Sequence, residues 1–195
     1  MFKPSLLMAT GAAAAALAVP MAALAESQLV VGAGSASARL DFRVVIPRVL
    51  FLAVGTGNAL PLATNATIDT LTFDYSAAAA DVGSGTPSAG QSVNVRVRGN
   101  NGQITLAAAT TGALTNADGD TIAWSEISGT SDQAALPSPA LPLTGPGATS
   151  NVTLNTAKVT DRTATWTFTY ANTAIVPPGT YGTTNGRVTY TAAMP

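Results

Sequence analysis

Asn116, Asp118 and Asp120, with Gly119 between the last two, have the spacing from which side-chain oxygens can wrap a hard cation such as calcium. A complete calcium loop of the EF-hand kind closes on a glutamate, and the residue at that place is Ile127. The same residues also make an ordinary Asp/Gly turn between strands. Asp118, Asp120 and Glu126 are the nearest approach to the paired carboxylates of a glycosidase. No nucleophile stands beside a base in any motif of the chain, and Lys158 with Asp161 and Arg162 reads as a group of turn and rim charges. The chain contains no histidine and no cysteine. Ser-His-Asp and Cys-His nucleophiles and ordinary zinc sites are therefore excluded. The expectation is a protein without catalytic residues, metal or cofactor. Trp124 and Trp166 are the remaining side chains with binding chemistry, because an exposed indole can stack on a sugar ring. Trp166 alternates with apolar neighbours and belongs to a core; Trp124, on a short segment, is the candidate ligand contact.

The elements that would position these residues are strands. Leu40, Phe42, Val44 and Ile46 alternate with Arg39, Asp41 and Arg43, which predicts a half-buried strand over Ala38 to Ile46. Pro47 interrupts it, and Val49 to Val54 reads as a second, more buried strand. Ile68 to Tyr75 predicts a third, with Leu71 and Phe73 on one face. Val93, Val95 and Val97 alternate before Gly99-Asn100-Asn101-Gly102, and Ile104 and Leu106 resume the pattern, which predicts a hairpin. A short strand follows at Ile122 to Trp124, and another at Thr149 to Asn155. Ala164, Trp166, Phe168 and Tyr170 oppose a row of threonines within Arg162 to Tyr170, and Arg187 to Ala192 is a last alternating strand. The Ala77 to Gly90 and Gly129 to Gly147 stretches read as loops. The pattern predicts an all-β, immunoglobulin-like antiparallel sandwich of about 7–9 strands, a closed barrel being the alternative.

The first 25 residues read as a secretory signal: Lys3, an apolar run from Leu6 to Val19, and the small residues Ala23-Leu24-Ala25 before Glu26. Residues 26–195 then form a single sandwich domain, with no stable membrane insertion once the leader is removed. Ten acidic residues stand against nine basic ones, one of which, Lys3, is in the leader. A nucleic-acid partner would call for a clustered basic face, which this balance does not supply. The segment Gln28 to Pro47 lies where an exported subunit could offer a strand to a neighbour. It reads equally as an ordinary first strand.

Phe42-Arg43-Val44-Val45-Ile46-Pro47-Arg48-Val49-Leu50-Phe51-Leu52, followed by Gly57-Asn58-Ala59-Leu60-Pro61, resembles the start of major pilins of the alternate chaperone–usher, CS1-type, fimbriae. Pro178-Gly179-Thr180-Tyr181 with Gly186-Arg187-Val188-Thr189-Tyr190-Thr191 is similar to the ending of fimbrial and spore-coat-U-like pilin domains. The resemblance covers about a quarter of the chain, a fraction over which a short motif fixes little beyond its own turn. It implies a sandwich lacking one strand, completed by the N-terminal extension of the next subunit, with like subunits and a periplasmic chaperone and usher as partners. It places the protein in the periplasm or in a fimbrium on the cell surface. Carried over by position, the donor residues are Leu40, Phe42 and Val44, with Leu29 and Val31 as further candidates. The other expectation, of a different class, is a secreted module that binds carbohydrate or an envelope component without catalysis.

Overall fold

The computed structural model describes residues 26–195; the expected leader lies outside the described residues. The chain divides into two units at the Ile46–Pro47 bond. The first, from Glu26 to Ile46, contains no strand, and all its side chains are exposed. The half-buried strand expected over Ala38 to Ile46 is therefore absent: half-burial needs a neighbouring sheet, and its own unit contains none. Within the unit the chain bends at Gly32 to Gly34, Arg39 pairs with Glu26 at 2.6 Å, and the Ser37 N–H donates to Gln28 Oε1 at 3.0 Å. Bonding to Arg39 lowers the Glu26 pKa.

The second unit, Pro47 to Pro195, holds ten strands: β1 Leu50–Val54, β2 Gln91–Gly99, β3 Ile104–Thr110, β4 Leu114–Thr115, β5 Thr121–Ile122, β6 Ile127–Ser131, β7 Gly145–Pro146, β8 Ser150–Val152, β9 Thr160–Tyr170 and β10 Thr189–Ala193. One sheet has the order β1-β2-β9-β6. The other has β10 beside β3, whose far side carries β7 and β8. All these pairings are antiparallel, and β4 with β5 makes a small separate ribbon. Taken in chain order, β1, β2, β9 and β6 occupy the places of immunoglobulin strands A, B, E and D, and β3 with β10 those of C and F. The protein is an all-β antiparallel sandwich.

The core lies between the sheets. Val95 and Val97 of β2, Ile104 and Leu106 of β3, Leu136, Val152, and Ala164, Trp166 and Phe168 of β9 form its buried cluster. Alternation drives this arrangement: on β9 every second residue from Ala164 to Tyr170 is buried while the threonines between them are more exposed. Cross-strand hydroxyl pairs line the outer face, Ser92 with Thr167 and Ser128 with Thr169, each at 2.8 Å.

The expected hairpin at residues 99–103 is not one. β2 pairs with β1 and β9, β3 pairs with β10, β7 and β8, and the connection carries the chain from one sheet to the other. Val97 and Ile104 thus face each other across the core, both fully buried. Ile68 to Tyr75 is likewise not a strand, although Leu71 and Phe73 pack against the core from outside any ladder. The segment expected as a strand at Ile122 to Trp124 ends at Ile122 and continues as a short 3₁₀ turn over Trp124–Glu126.

Candidate functional site

The sheet edges are not equivalent. The Pro-rich segment that follows β6 packs on the inner face of that strand. There Ser131 Oγ donates to the Leu136 carbonyl at 2.8 Å, and Gly129 is so close to Ser138 that a Cβ would meet its Oγ at 2.7 Å. On the other sheet β7 has two residues and ends on Pro146, and β8 has three. Short strands and proline are the usual ways of blunting an edge. β10 and β1 carry neither device. Each has five residues, each pairs on one side only, and the two strands approach each other across the sandwich. Within the second unit no strand pairs with the other side of β10, the place of a seventh immunoglobulin strand.

The flank between these two strands is apolar. Leu52 and Val54 from β1 and Tyr190, Ala192 and Met194 from the end of the chain pack on the core, yet all remain partly exposed. The Tyr190 ring lies 5.2 Å from that of Trp166, and burial pushes its phenol well above the ordinary value. The outward residues Thr189, Thr191 and Ala193 leave the main chain of β10 accessible.

The first unit carries exposed apolar side chains. Leu29, Val31, Leu40, Phe42 and Val44 are all largely exposed, Phe42 at 88% and Val44 at 81%. Ile46 is also exposed and shares the parity of Phe42 and Val44. Val45, of the opposite parity, is exposed too. A run of exposed large apolar side chains is costly in water and is characteristic of a surface that finds a partner.

Trp124 does not stand on the surface, where stacking on a sugar would need it. It is 4% exposed and its indole N–H donates to the Gly112 carbonyl at 2.7 Å, so the short turn after β5 places it inside instead of on the surface. Asn116 is buried as well, and its Oδ1 accepts the main-chain N–H groups of Asp118 at 3.1 Å and Asp120 at 2.8 Å. Its Nδ2 donates to the Asp120 carboxylate at 3.1 Å. The three residues build a turn with their own polar atoms. Among the described residues no group of three His, Cys, Asp or Glu is placed to hold a metal ion. Two hollows are open to solvent: one of about 250 Å³ between Phe73, Tyr75, Asp81 and Ser88, and a more polar one of about 410 Å³ by Asn94, Gln133 and Thr163.

Two asparagines do more than their place in loops suggests. Asn172, buried at φ 56°, accepts from the Gly83 N–H at 2.8 Å and donates to the carbonyls of Asp81 at 2.6 Å and Thr86 at 3.3 Å. It organises most of the Ala77 to Gly90 loop. Asn100 bonds Pro47 and Val49, at the root of the extension. Both sit in stretches rich in turn residues, where asparagine is too common to stand out.

No protein-family model matches the chain, and no curated protein matches it in sequence. Among solved structures it is similar to a chain of a chaperone–usher pilus, from a study of how the pilus rod uncoils. That likeness has 12% identity and a TM-score of 0.37, and covers 86% of this chain and 100% of the other. No described helix is long and apolar enough to cross a membrane.

Proposed function

We propose that this protein is an exported, pilin-like structural subunit that assembles by strand addition and not by chemistry: the extension of one copy completes the sandwich of the next. What supports this reading most is one pairing of properties. A sandwich with the A-B-E-D and C-F strands has a free β10 edge, and the same chain carries an exposed alternating segment that nothing in its own unit buries. An added strand would satisfy the main chain of β10 and set Phe42 and Val44, with Leu40 and Ile46, against Leu52, Val54 and Tyr190. Each such side chain contributes about 1.5–3 kcal/mol when fully buried. Polar alternates, Arg39, Asp41 and Arg43, stay in water. Export through the leader, a chaperone and usher as assembly partners, and a place in a surface fimbrium belong to this reading.

The test compares residues 26–195 with a form lacking residues 26–46 by size-exclusion chromatography. The longer form should assemble with rising concentration, and the shorter one should stay monomeric and capture a synthetic peptide of residues 38–46. Phe42→Asp with Val44→Asp should abolish assembly while leaving the far-UV spectrum unchanged. A full-length protein that is strictly monomeric, with a shortened form that does not fold, overturns the proposal.

A further inference from the structure

Strand addition between copies has an internal competitor, because the extension joins β1 directly and a tight hairpin would lay it on the outer edge of β1, plugging the same flank from within the chain. Side-chain parity restricts that hairpin. Leu52 and Val54 face the core, and residues directly opposite in an antiparallel pair share a face. The shortest loop that turns Val44 and Phe42 to the core sets them opposite Leu52 and Val54, which puts Ile46 opposite Leu50 and leaves Pro47, Arg48 and Val49 as the loop. A loop one residue shorter sets Arg43 and Asp41 against Leu52 and Val54; one residue longer sets Arg43 against Val54.

The three-residue loop meets two independent obstacles. Such loops are built as a type I turn followed by a residue in the left-handed region, and here that residue is Val49. A β-branched side chain at positive φ is a genuine outlier, and Gly or Asn would be needed. The turn would also need the Val49 N–H for the Ile46 carbonyl. That N–H already donates to Asn100 Oδ1 at 2.8 Å, while Asn100 Nδ2 donates to the Pro47 carbonyl at 2.8 Å. One side-chain amide thus holds residues 47 and 49 by groups that point to the same side, as in an extended strand, in continuation of the β1–β2 ladder at Leu50 and Gly99.

We infer that Val49 and Asn100 form a latch at the root of the extension that bars the tight hairpin by which a chain would close its own sandwich, and so favours a second copy as the place for the extension. This rests on the strand-addition reading above. Asn100 and Val49 act as positioning residues and touch no partner.

The experiment uses residues 26–195 as wild type, as Val49→Gly with Asn100→Ala, and as Val49→Gly alone, which keeps the amide bridge and guards against a double variant that fails to fold. Sedimentation velocity over a concentration series and capture of a fluorescent peptide of residues 38–46 are measured for each. The double variant should sediment as a monomer at every concentration, lose peptide capture by about tenfold or more, and unfold at a higher temperature; the single variant should fall between. Variants that assemble and take up peptide like the wild type overturn the latch while leaving strand addition standing. A wild type that neither assembles nor takes up peptide overturns strand addition, and the latch with it.

Discussion

The Trp166 indole N–H donates to the main-chain carbonyl of Leu136 at 3.1 Å in the interior of the sandwich. This bond ties the longest strand, β9, to the Pro-rich segment that packs on β6. Trp166→Phe leaves a small void and removes the donor, although the carbonyl keeps Ser131 Oγ. We expect a loss of about 2–3 kcal/mol in chemical denaturation. Hydrogen exchange should rise first along β6, whose cover is loosened.

Asn172→Ala should cost about 2–3 kcal/mol, because it strands the Gly83 N–H and two carbonyls and places alanine at φ 56°. Asn172→Gly relieves the backbone and still loses the bonds. Thermal unfolding of the two variants should therefore rank Gly between Ala and wild type, with both showing faster proteolysis inside residues 77–90.

Trp124→Phe removes the bond to the Gly112 carbonyl and should lower stability by about 1–3 kcal/mol. Binding to any glycan array should be unaffected apart from that loss. A variant of normal stability with altered glycan binding contradicts the buried position.

The Tyr190 phenol is raised by burial, so the neutral ring is the form the fold accepts. A folded pKa above the unfolded one contributes stability that is fully present below about pH 10 and is lost as pH rises toward the folded value. Denaturation midpoints should thus fall above about pH 10, and Tyr190→Phe should flatten that fall with little change at neutral pH. Spectrophotometric titration of tyrosinate checks the same point.

Much of the architecture could be read from the chain. The run Ala164-Thr165-Trp166-Thr167-Phe168-Thr169-Tyr170 has one solution as a strand between a core and solvent, and the structure gives it. The Val93-Val95-Val97 and Ile104-Leu106 runs were legible as strands but not as partners. Local sequence fixes the turn, whereas the choice between pairing and facing depends on β1 and β9 taking both edges of β2. Leu71 and Phe73 show a related gap: parity reports which side chains face inward, not whether the main chain finds a ladder. The alternation over Ala38 to Ile46 is real, and its burial depends on something that its own unit lacks. Trp124 was misplaced because its flanks are too short for any periodicity. The asparagines Asn100 and Asn172 act through single amide groups whose partners lie far away in sequence, and no pattern announces them.

The unequal blunting of the sheet edges sets a valence. Under the strand-addition proposal, with β7 and β8 short, one sandwich accepts one strand on the flank between β1 and β10 and donates one. Under strand addition the contact is then head to tail and cannot be self-complementary, so growth has a direction and two distinguishable ends. A branch or a sheet would need a second accepting edge, which the short β7 and β8 do not offer.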